Sequence, residues 1–290
     1  MGLRLKFNLV LLFVFIAGLA VSAYVSYELL QRNARDEVLR SAGLMMEAAM
    51  SMRSYTVGHV RPNLRVVEDE FLPQSVPAFG ATEIMRQLRK THPDYTYKEA
   101  ALNPTNPRNR ATEWEVDIIN EFRNYADRKE MMGTRVTPAG PALYLARPFT
   151  IKDGACLSCH TAAEAAPPAM VKVYGPSNGY GWKLGEVIGA QIVSVPMAVP
   201  IEKANHAFLV FMGSLAAVFA VVFIILNAML SFLIVRPMRG MSAAADKISV
   251  GALDIPELPE SGKDEVALLA KSFNRMRRSL EKALRLIDEK

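Results

Sequence analysis

The sequence predicts an α+β domain held between two membrane-spanning helices and followed by a short coiled-coil module. Two apolar runs without a charged side chain, at residues 7–27 and 207–235, mark the spans. Between them, helical patterns are mixed with a few strand patterns, which is typical of α+β domains. After the second run, apolar residues recur at heptad spacing, which predicts helices that pack as a coiled coil. The chain therefore divides into segments 1–29, 30–205, 206–235 and 236–290.

Each apolar run is long enough to cross a bilayer, since roughly 20 residues suffice for a helix. The hydrophobic fraction of 51% across 290 residues is correspondingly high. In the first run, Val21-Ser22-Ala23 would also suit a signal peptidase. Because the apolar run continues past Ala23, we expect this helix to be retained rather than cleaved.

Basic residues at the flanks predict the orientation of the spans. Arg4 and Lys6 precede the first run, and Arg236 and Arg239 follow the second. Lys and Arg accumulate on the cytoplasmic side of membrane proteins. We therefore expect both chain ends in the cytoplasm and residues 28–206 outside it.

The formal net charge of +5 at pH 7 does not come from a basic tail. Acidic and basic residues nearly balance both in segment 28–206 and from residue 236 onward. Blocks of like charge, which mark nucleic-acid-binding tails, are missing from both segments. The sequence therefore predicts no nucleic-acid partner.

The elements of the domain follow in order. Residues 28–60 contain no proline and many good helix formers, so they predict a long stalk that continues the first span until Pro62. Residues 82–91 form an amphipathic stretch, and an alternating run surrounds residues 95–97. Thr112, with Glu115 three residues on, has capping-box spacing and opens a helix. Its apolar side carries Trp114, Ile118 and Phe122. Strands are predicted at residues 142–150 and 187–196.

One short motif carries the chemistry. Cys156 and Cys159 stand three residues apart, and His160 follows directly, which is the attachment signature of a c-type haem. Two thioether bonds need sulfurs about one helical turn apart, and the adjacent imidazole reaches the iron as the proximal ligand. These are the only two cysteines of the chain.

Three other interpretations of the motif stay open: a redox dithiol, a structural disulfide, or half of a zinc site. A zinc site would need two more ligands at similar spacing, and the remaining histidines stand alone in the sequence. They are His59, His92 and His206. A redox dithiol does not need the histidine that follows. Covalent haem accounts for all three motif residues.

The second iron ligand is predicted from the stalk. Met45, Met52 and His59 fall seven residues apart, on one helical stripe. No thiolate is left for the role, so we expect Met52 to be the distal ligand, with Met50 and His59 as the next candidates. The alternative is a five-coordinate iron, with the stripe serving only as packing in the core or in a dimer interface.

The run from Tyr174 to Trp182 has too many glycines and turn residues for a regular element, and its aromatic rings would suit a haem edge. Four stretches together resemble a family of bacterial c-haem sensor domains. They are residues 53–56 before Arg61-Pro62, residues 106–109 before Trp114-Glu115, the haem motif, and the run YGPSNGYGWKLGEVIGA at 174–190.

The resemblance covers roughly residues 30–200. It implies a PAS-like or Cache-like α+β fold, one haem c attached at Cys156 and Cys159, and proximal ligation by His160. It also implies maturation on the periplasmic face of a bacterial inner membrane and tethering by two membrane helices to a signalling module. The resemblance leaves the distal ligand open.

The inner end of the chain has two heptad series separated by Gly251. The first comprises Met238, Met241, Ala245 and Ile248; the second comprises Val266, Leu269, Phe273, Met276, Leu280, Ala283 and Ile287. Ser261 with Asp264 supplies an N-cap signal between them. With Asp264-Glu265 and Ser272-Phe273-Asn274-Arg275-Met276, the arrangement resembles a HAMP domain. Two such helices from each of two chains would form a parallel four-helix coiled coil, so we expect a homodimer.

The sequence therefore predicts a haem-based transmembrane sensor of redox state or of a small gas. A membrane-anchored monohaem cytochrome for electron transfer is the alternative, but it would gain nothing from a cytoplasmic coiled coil. A peroxidase-like enzyme would need a distal acid–base pair, such as His59 or His92 with Arg53 or Arg135, and no spacing supports one. We expect no enzyme. Because no kinase, cyclase or methyl-accepting segment follows the second heptad helix, the output would lie on a cytoplasmic partner of kinase or chemotaxis type, or on a longer chain.

Overall fold

The structure, a computed structural model, describes residues 2–64, 70–138, 140–252 and 254–288. Two compact units emerge from the fold. One comprises residues 27–207, and the other combines the first 26 residues with those from 208 onward. The described helices are α1 (Leu3–Tyr55), α2 (Pro77–Thr91), α3 (Glu113–Asn124), α4 (Leu157–His160), α5 (Pro168–Tyr174), α6 (Ala198–Met229), α7 (Arg236–Ser249) and α8 (Glu265–Asp288).

A four-stranded antiparallel sheet lies at the centre of the unit formed by residues 27–207. Its strands are β1 (Thr96–Ala101), β2 (Met131–Thr137), β3 (Gly140–Thr150) and β4 (Val187–Pro196), in the spatial order β1-β4-β3-β2. The mixed α+β class is therefore confirmed. Strand β4 pairs on both sides and is buried from Ile188 to Val195, so its sequence is apolar except for Gln191 and Ser194.

One face of the sheet is covered by α1 and α2. Val38, Ala42, Met46 and Ala49 of α1 are at most 2% exposed, and they belong to one core cluster with residues of α2, β1, β3 and β4. The predicted long helix is confirmed, but it is not a free-standing stalk. Its outer half is a wall of the domain, because its Ala and Met side chains allow close packing on the sheet.

The opposite face is covered by α3. Ile118, Ile119 and Phe122 pack against Ala100, Ala146, Ala190 and Ile192 of the sheet. The predicted capping box is confirmed, with the Thr112 backbone N–H donating to Glu115 Oε2 over 2.8 Å. Lys98 Nζ of β1 lies 2.6 Å from the same carboxylate oxygen, so the start of α3 is held to the sheet as well.

Some elements differ from the sequence prediction. Helix α2 begins at Pro77, five residues before the predicted stretch, because proline suits the first turn of a helix. Strand β2 and the short helix α5 were not predicted. In β2, half-buried and exposed positions alternate, but the half-buried ones include Gly133 and Arg135 while the apolar Val136 is exposed. The sequence therefore lacks the apolar alternation that predicts a strand.

Two π-helical turns mark the ends of the long helices. Thr56–Val60 follows α1 directly and precedes Pro62, while Leu230–Val235 follows α6 and precedes Pro237. Proline has no backbone N–H for the carbonyl four residues before it, and its ring crowds that carbonyl. The wider π turn accommodates this defect.

Two helices are long and apolar enough to cross a membrane, within Arg4–Asn63 and Ala198–Ser249. In the unit that contains the two apolar runs, the rings of Phe15 and Phe219 stack with centroids 4.7 Å apart. Gly18 lies against the same Phe219 ring, at 3.8 Å from an ideal Cβ position. The two candidate spans therefore contact each other directly.

The C-terminal helices α7 and α8 are joined by an extended connector. Asn274, 1% exposed, receives a hydrogen bond from the Leu258 N–H at 3.0 Å and donates to the Leu258 carbonyl at 2.9 Å. Asp264 Oδ1 accepts from the Ala267 N–H at 2.8 Å, which confirms the predicted cap of α8. The predicted heptad seam is open in the single chain, with Met276 57% and Leu280 42% exposed. The side chain of Ile287 lies outside the described residues.

Candidate functional site

The Cys156–His160 motif is wound as a 3₁₀ turn, Gly154–Cys156, that runs into the single helical turn α4. Asp153 starts the turn, since its Oδ1 accepts from the Ala155 N–H at 2.9 Å. Ser158 Oγ donates to the Ala155 carbonyl at 2.8 Å and tightens it further. The predicted helical spacing of the motif is therefore present, with both thiols free and half-buried.

His160 is held in one tautomer by the loop that follows α5. Its Nδ1 lies 2.7 Å from the carbonyl oxygen of Gly179, which can only accept, so Nδ1 carries the proton. Thr105 Oγ1 lies 3.4 Å from the same nitrogen. The lone pair of Nε2 is consequently free for a metal, the arrangement that ligating histidines commonly adopt.

Trp182 fixes the plane of the imidazole. The two rings stack with centroids 3.8 Å apart and an angle of 15° between their planes. Two backbone hydrogen bonds bring the loop to this position: Gly181 N–H donates to the Thr161 carbonyl at 2.9 Å and Trp182 N–H to the His160 carbonyl at 3.2 Å. The irregular run predicted from its glycines thus forms the support of His160.

Gly179 is the position in this loop that requires glycine. Its φ is +87°, and a Cβ there would come within 2.7 Å of the Thr105 Cα. The Gly179 N–H donates to Asn103 Oδ1 at 3.2 Å, so the loop after β1 helps to position the Gly179 carbonyl that faces His160. Asn103, Thr105 and the Gly179 carbonyl were not predicted as site residues. Only the glycine-rich composition of residues 174–190 pointed to a close approach of the backbone.

Burial shapes the protonation of the motif. It lowers the pKa of His160, and the hydrogen bond to the Gly179 carbonyl offsets this only in part. The neutral imidazole that a metal requires is therefore favoured. Burial also raises the pKa of Cys156, as does the nearby Asp153, while the positive charges of Arg53 and Arg61 act in the opposite direction. Arg53, near the end of α1, is therefore one of the charges that act on the motif.

The candidate distal ligands lie on this same part of α1. Met52 is half-buried, and its methyl group lies 3.0 Å from where a Cβ on Gly80 of α2 would be. Met50 is half-buried as well, whereas His59 is exposed in the π turn, with its ring 5.4 Å from that of Tyr55. Met45, at 8% exposure, belongs to the core between α1 and the sheet. The stripe of the stalk therefore divides between core packing and the surface near the motif.

A buried polar network ties α1 to the sheet beside the motif. Arg53 Nη1 lies 2.5 Å from Glu99 Oε2, with 16% and 2% of the two side chains exposed. The Tyr97 hydroxyl donates to Glu99 Oε1 at 2.8 Å, and burial together with the Glu99 charge raises the pKa of Tyr97. The Arg53 guanidinium also lies over the Phe149 ring, 4.7 Å from its centroid. Sequence reasoning did not find this network, because its members are dispersed over three elements.

The acid–base pairs considered for a haem enzyme are not assembled. Arg53 is engaged by Glu99, and Arg135 lies over the Trp114 ring at 4.0 Å. The ring of His92 lies against Tyr95, with centroids 5.5 Å apart. Among the described residues, no three His, Cys, Asp or Glu side chains form a cluster that could hold a metal ion.

Comparison with known proteins gives the family. A model described as Tll0287-like matches residues 31–196, more than half of the chain, and a HAMP-domain model matches residues 229–282. The chain belongs to the Tll0287-like family. Its Tll0287-like domain contains the sheet, the Cys156–His160 motif and the loop that supports His160, and a HAMP domain follows it.

One solved structure is similar to the Tll0287-like domain. It is the crystal structure of the cyanobacterial heme-protein Tll0287, at 20% identity and a TM-score of 0.44, covering 55% of this chain and 95% of that chain. No curated protein matches the chain.

We expect the Arg53–Glu99 pair to be needed for the stability of the Tll0287-like domain. Glu99→Gln leaves a largely buried guanidinium without its counter-charge, which costs about 3 kcal/mol. Thermal unfolding of the detergent-solubilised protein should show a midpoint lowered by about 6 °C or more.

The matched control is Glu28→Gln, which removes the acid of the exposed Arg32–Glu28 pair at 3.5 Å. That change should cost about 0.5 kcal/mol or less. Equal midpoints for the two variants would mean that the buried network contributes nothing.

Proposed function

We propose that this protein is a haem-based transmembrane sensor without enzymatic activity of its own. The observation that carries the proposal is His160, whose protonated Nδ1 is bonded to the Gly179 carbonyl so that Nε2 is free. It directly follows the free thiol of Cys159 and lies one helical turn after that of Cys156. This donor set fits a c-type haem, with thioethers at Cys156 and Cys159 and His160 as the proximal ligand. Tll0287, for which the family is named, is itself a heme-protein.

When bound, the haem would supply an iron that changes oxidation state or takes up a small gas. The chain's own residues then have defined tasks. Cys156 and Cys159 would hold the group, Gly179 fixes the proton on Nδ1, and Trp182 fixes the imidazole plane. The HAMP domain supports signalling over electron transfer, since a soluble coiled coil would add nothing to an electron carrier.

Attachment of the haem is the first thing to test. Cys156→Ala and Cys159→Ala should each weaken covalent attachment, and the double variant should abolish it, because each sulfur supplies one thioether. Haem staining after denaturing electrophoresis measures this. Ser249→Ala, at the end of α7, should stain like the wild type. Undiminished staining of the double variant would contradict the proposal.

We propose a topology in which the Tll0287-like domain is periplasmic and both termini are cytoplasmic, in a bacterial inner membrane. The basic flanks at Arg4, Lys6, Arg236 and Arg239 support it. A periplasm-active reporter fused near Pro141 should be active, and the same reporter at the C-terminus should be silent. The reverse pattern would refute the topology.

We also propose a PAS-like or Cache-like type for the sheet and its helices, which an experimental structure would test.

We propose Met52 as the distal iron ligand, with Met50 and His59 as the next candidates. Its support is its place on the half-buried face of α1, one residue from Arg53, whose charge acts on Cys156. A thioether ligand raises the reduction potential of a haem. Met52→Ala would remove one of the two axial ligands, so a low-spin absorption spectrum should become high-spin. Met132→Ala, at a position 51% exposed on β2, should not change it.

Spectra of the wild type with CO and with NO distinguish the two kinds of stimulus. A low-spin spectrum inert to both gases favours redox sensing, and an adduct favours gas sensing. An unchanged spectrum in Met52→Ala would show that Met52 only packs against Gly80.

We propose that the HAMP domains of two chains form a parallel homodimer that passes the signal to a cytoplasmic partner. The exposed apolar seam of α8 supports this, because water contact of such a stripe is costly. Cysteine at Met276 should cross-link readily between chains. Cysteine at Arg278, similarly exposed but off the seam, should cross-link poorly. Equal cross-linking at both positions would refute the dimer seam.

A further inference from the structure

A cavity of about 660 Å³ lies at the end of the Tll0287-like domain that is nearest to both apolar runs in the chain. Three segments line it: residues 30–41 of α1, residues 91–95 after α2, and residues 195–207 between β4 and the second apolar run. None of them belongs to the haem motif or its supporting loop. The cavity is therefore separate from the site described above.

With both apolar runs crossing the membrane as proposed above, the number of residues between the first run and the cavity gives its distance from the membrane along α1. Leu30 is three residues beyond Tyr27, the end of the first apolar run, and Ala207 begins the second. At 1.5 Å per residue, Leu30 lies about 5 Å and Ser41 about 20 Å beyond Tyr27 along the helix axis. Lipid head groups extend about 5–8 Å beyond the hydrocarbon on each side of a bilayer. The lower end of the cavity thus reaches the head-group layer.

The inner wall of the cavity is apolar. Val38 and Val195 are 2% and 1% exposed, while Val199, also in the wall, keeps 56% of its surface accessible. Further apolar lining comes from Leu30, Ala34, Pro196, Pro200 and Ala204. Val38 and Val195 are already covered by the protein, whereas the accessible surface of Val199 would gain free energy when hydrocarbon covers it.

The rim of the cavity carries charges of both signs. Glu37 and Asp94 are acidic, Lys203 is basic, and all three are exposed. In the part of the chain that the structure describes, none of these three side chains takes part in an ion pair, although they line the same cavity. A ligand with one positive and one negative group would supply a counter-charge to both the acidic and the basic side chains of the rim.

We propose that this cavity binds a zwitterionic phospholipid from the leaflet that the domain faces. Lys203 binds its phosphate, and Glu37 and Asp94 bind its ammonium group. The start of its acyl chains packs against the apolar wall formed by Val38, Val195 and Val199. The inference rests on both spans crossing the membrane, as proposed above. An anionic lipid without an ammonium group would leave Glu37 and Asp94 unpaired.

The bound lipid would act on the two connections to the membrane. One wall belongs to α1, which continues from the first apolar run, and the other leads into the second. A ligand shifts a conformational equilibrium only by its differential affinity for the two states. The lipid therefore favours the arrangement of residues 30–41 and 195–207 that keeps the cavity open.

Native mass spectrometry of the full-length haem-loaded protein tests the inference. The protein is released from detergent micelles doped with dioleoyl phosphatidylethanolamine or with dioleoyl phosphatidylglycerol. One phosphatidylethanolamine should stay bound to each wild-type chain, and phosphatidylglycerol should be retained about tenfold less. Ala34→Trp, which fills the cavity, and Lys203→Glu, which reverses the rim charge, should each lower phosphatidylethanolamine retention about tenfold.

Two control variants lie away from the cavity. Ala48→Trp is on the exposed side of α1, and Lys129→Glu is in the surface loop before β2; both should retain the lipid like the wild type. Equal retention by Ala34→Trp and Ala48→Trp, or equal retention of the two lipids, would overturn the inference. Because Lys203 is exposed, its variant tests the rim without endangering the fold.

The same spectra report haem content. If the preference for phosphatidylethanolamine is lost while haem is still bound, the lipid inference is contradicted and the proposed function is not. If the preference is retained in a protein without haem, the proposed function is contradicted and the lipid inference is not.

Discussion

The hydrogen bond between His160 Nδ1 and the Gly179 carbonyl is the constraint on which the rest of the site depends. A carbonyl can only accept, so the bond fixes the proton on Nδ1 and leaves Nε2 free. The bond exists because three segments that are distant in the sequence converge. The turn after β3 carries His160, and the glycine-rich loop before β4 contributes Gly179 and Trp182. Asn103, after β1, holds this loop in position through its hydrogen bond with the Gly179 N–H. Since β4 lies between β1 and β3 in the sheet, the strand order itself brings these loops together.

Helix α1 is the element shared by the site, the core and the candidate membrane span. Its face from Val38 to Ala49 forms one wall of the core, and Arg53 is paired to Glu99 in the sheet while its charge also acts on Cys156. This packed face extends over about three helical turns. The π turn at Thr56–Val60 comes after the packed part, just before the Pro62 turn. Helix α1 thus connects the core of the domain with the first candidate membrane span.

Much of the fold could be predicted because burial and capping leave local patterns. Strand β4 is buried from Ile188 to Val195 and its sequence is apolar except for Gln191 and Ser194, and α3 begins at its capping box. Edge strand β2 was not predicted because its half-buried positions include Gly133 and Arg135, so its sequence lacks apolar alternation. The stalk was predicted as a helix, but a stripe of Ala and Met does not reveal its partner, which is the sheet. At the site, the spacing of Cys156, Cys159 and His160 predicted them as haem-binding residues, and the structure places them in one short helical turn. The Gly179 carbonyl and the Arg53–Glu99 pair depend on contacts between distant segments, and no local pattern records those.

The central claim is that Cys156 and Cys159 carry one covalent haem. The most direct test is the intact mass of the denatured full-length protein, made in a host that matures c-type cytochromes, followed by mass mapping of its peptides. We expect the intact mass to exceed that of the unmodified chain by the mass of one haem, with the whole increase on the peptide that contains residues 156–160. An unmodified chain, in cells where a control cytochrome c acquires its haem, would contradict it.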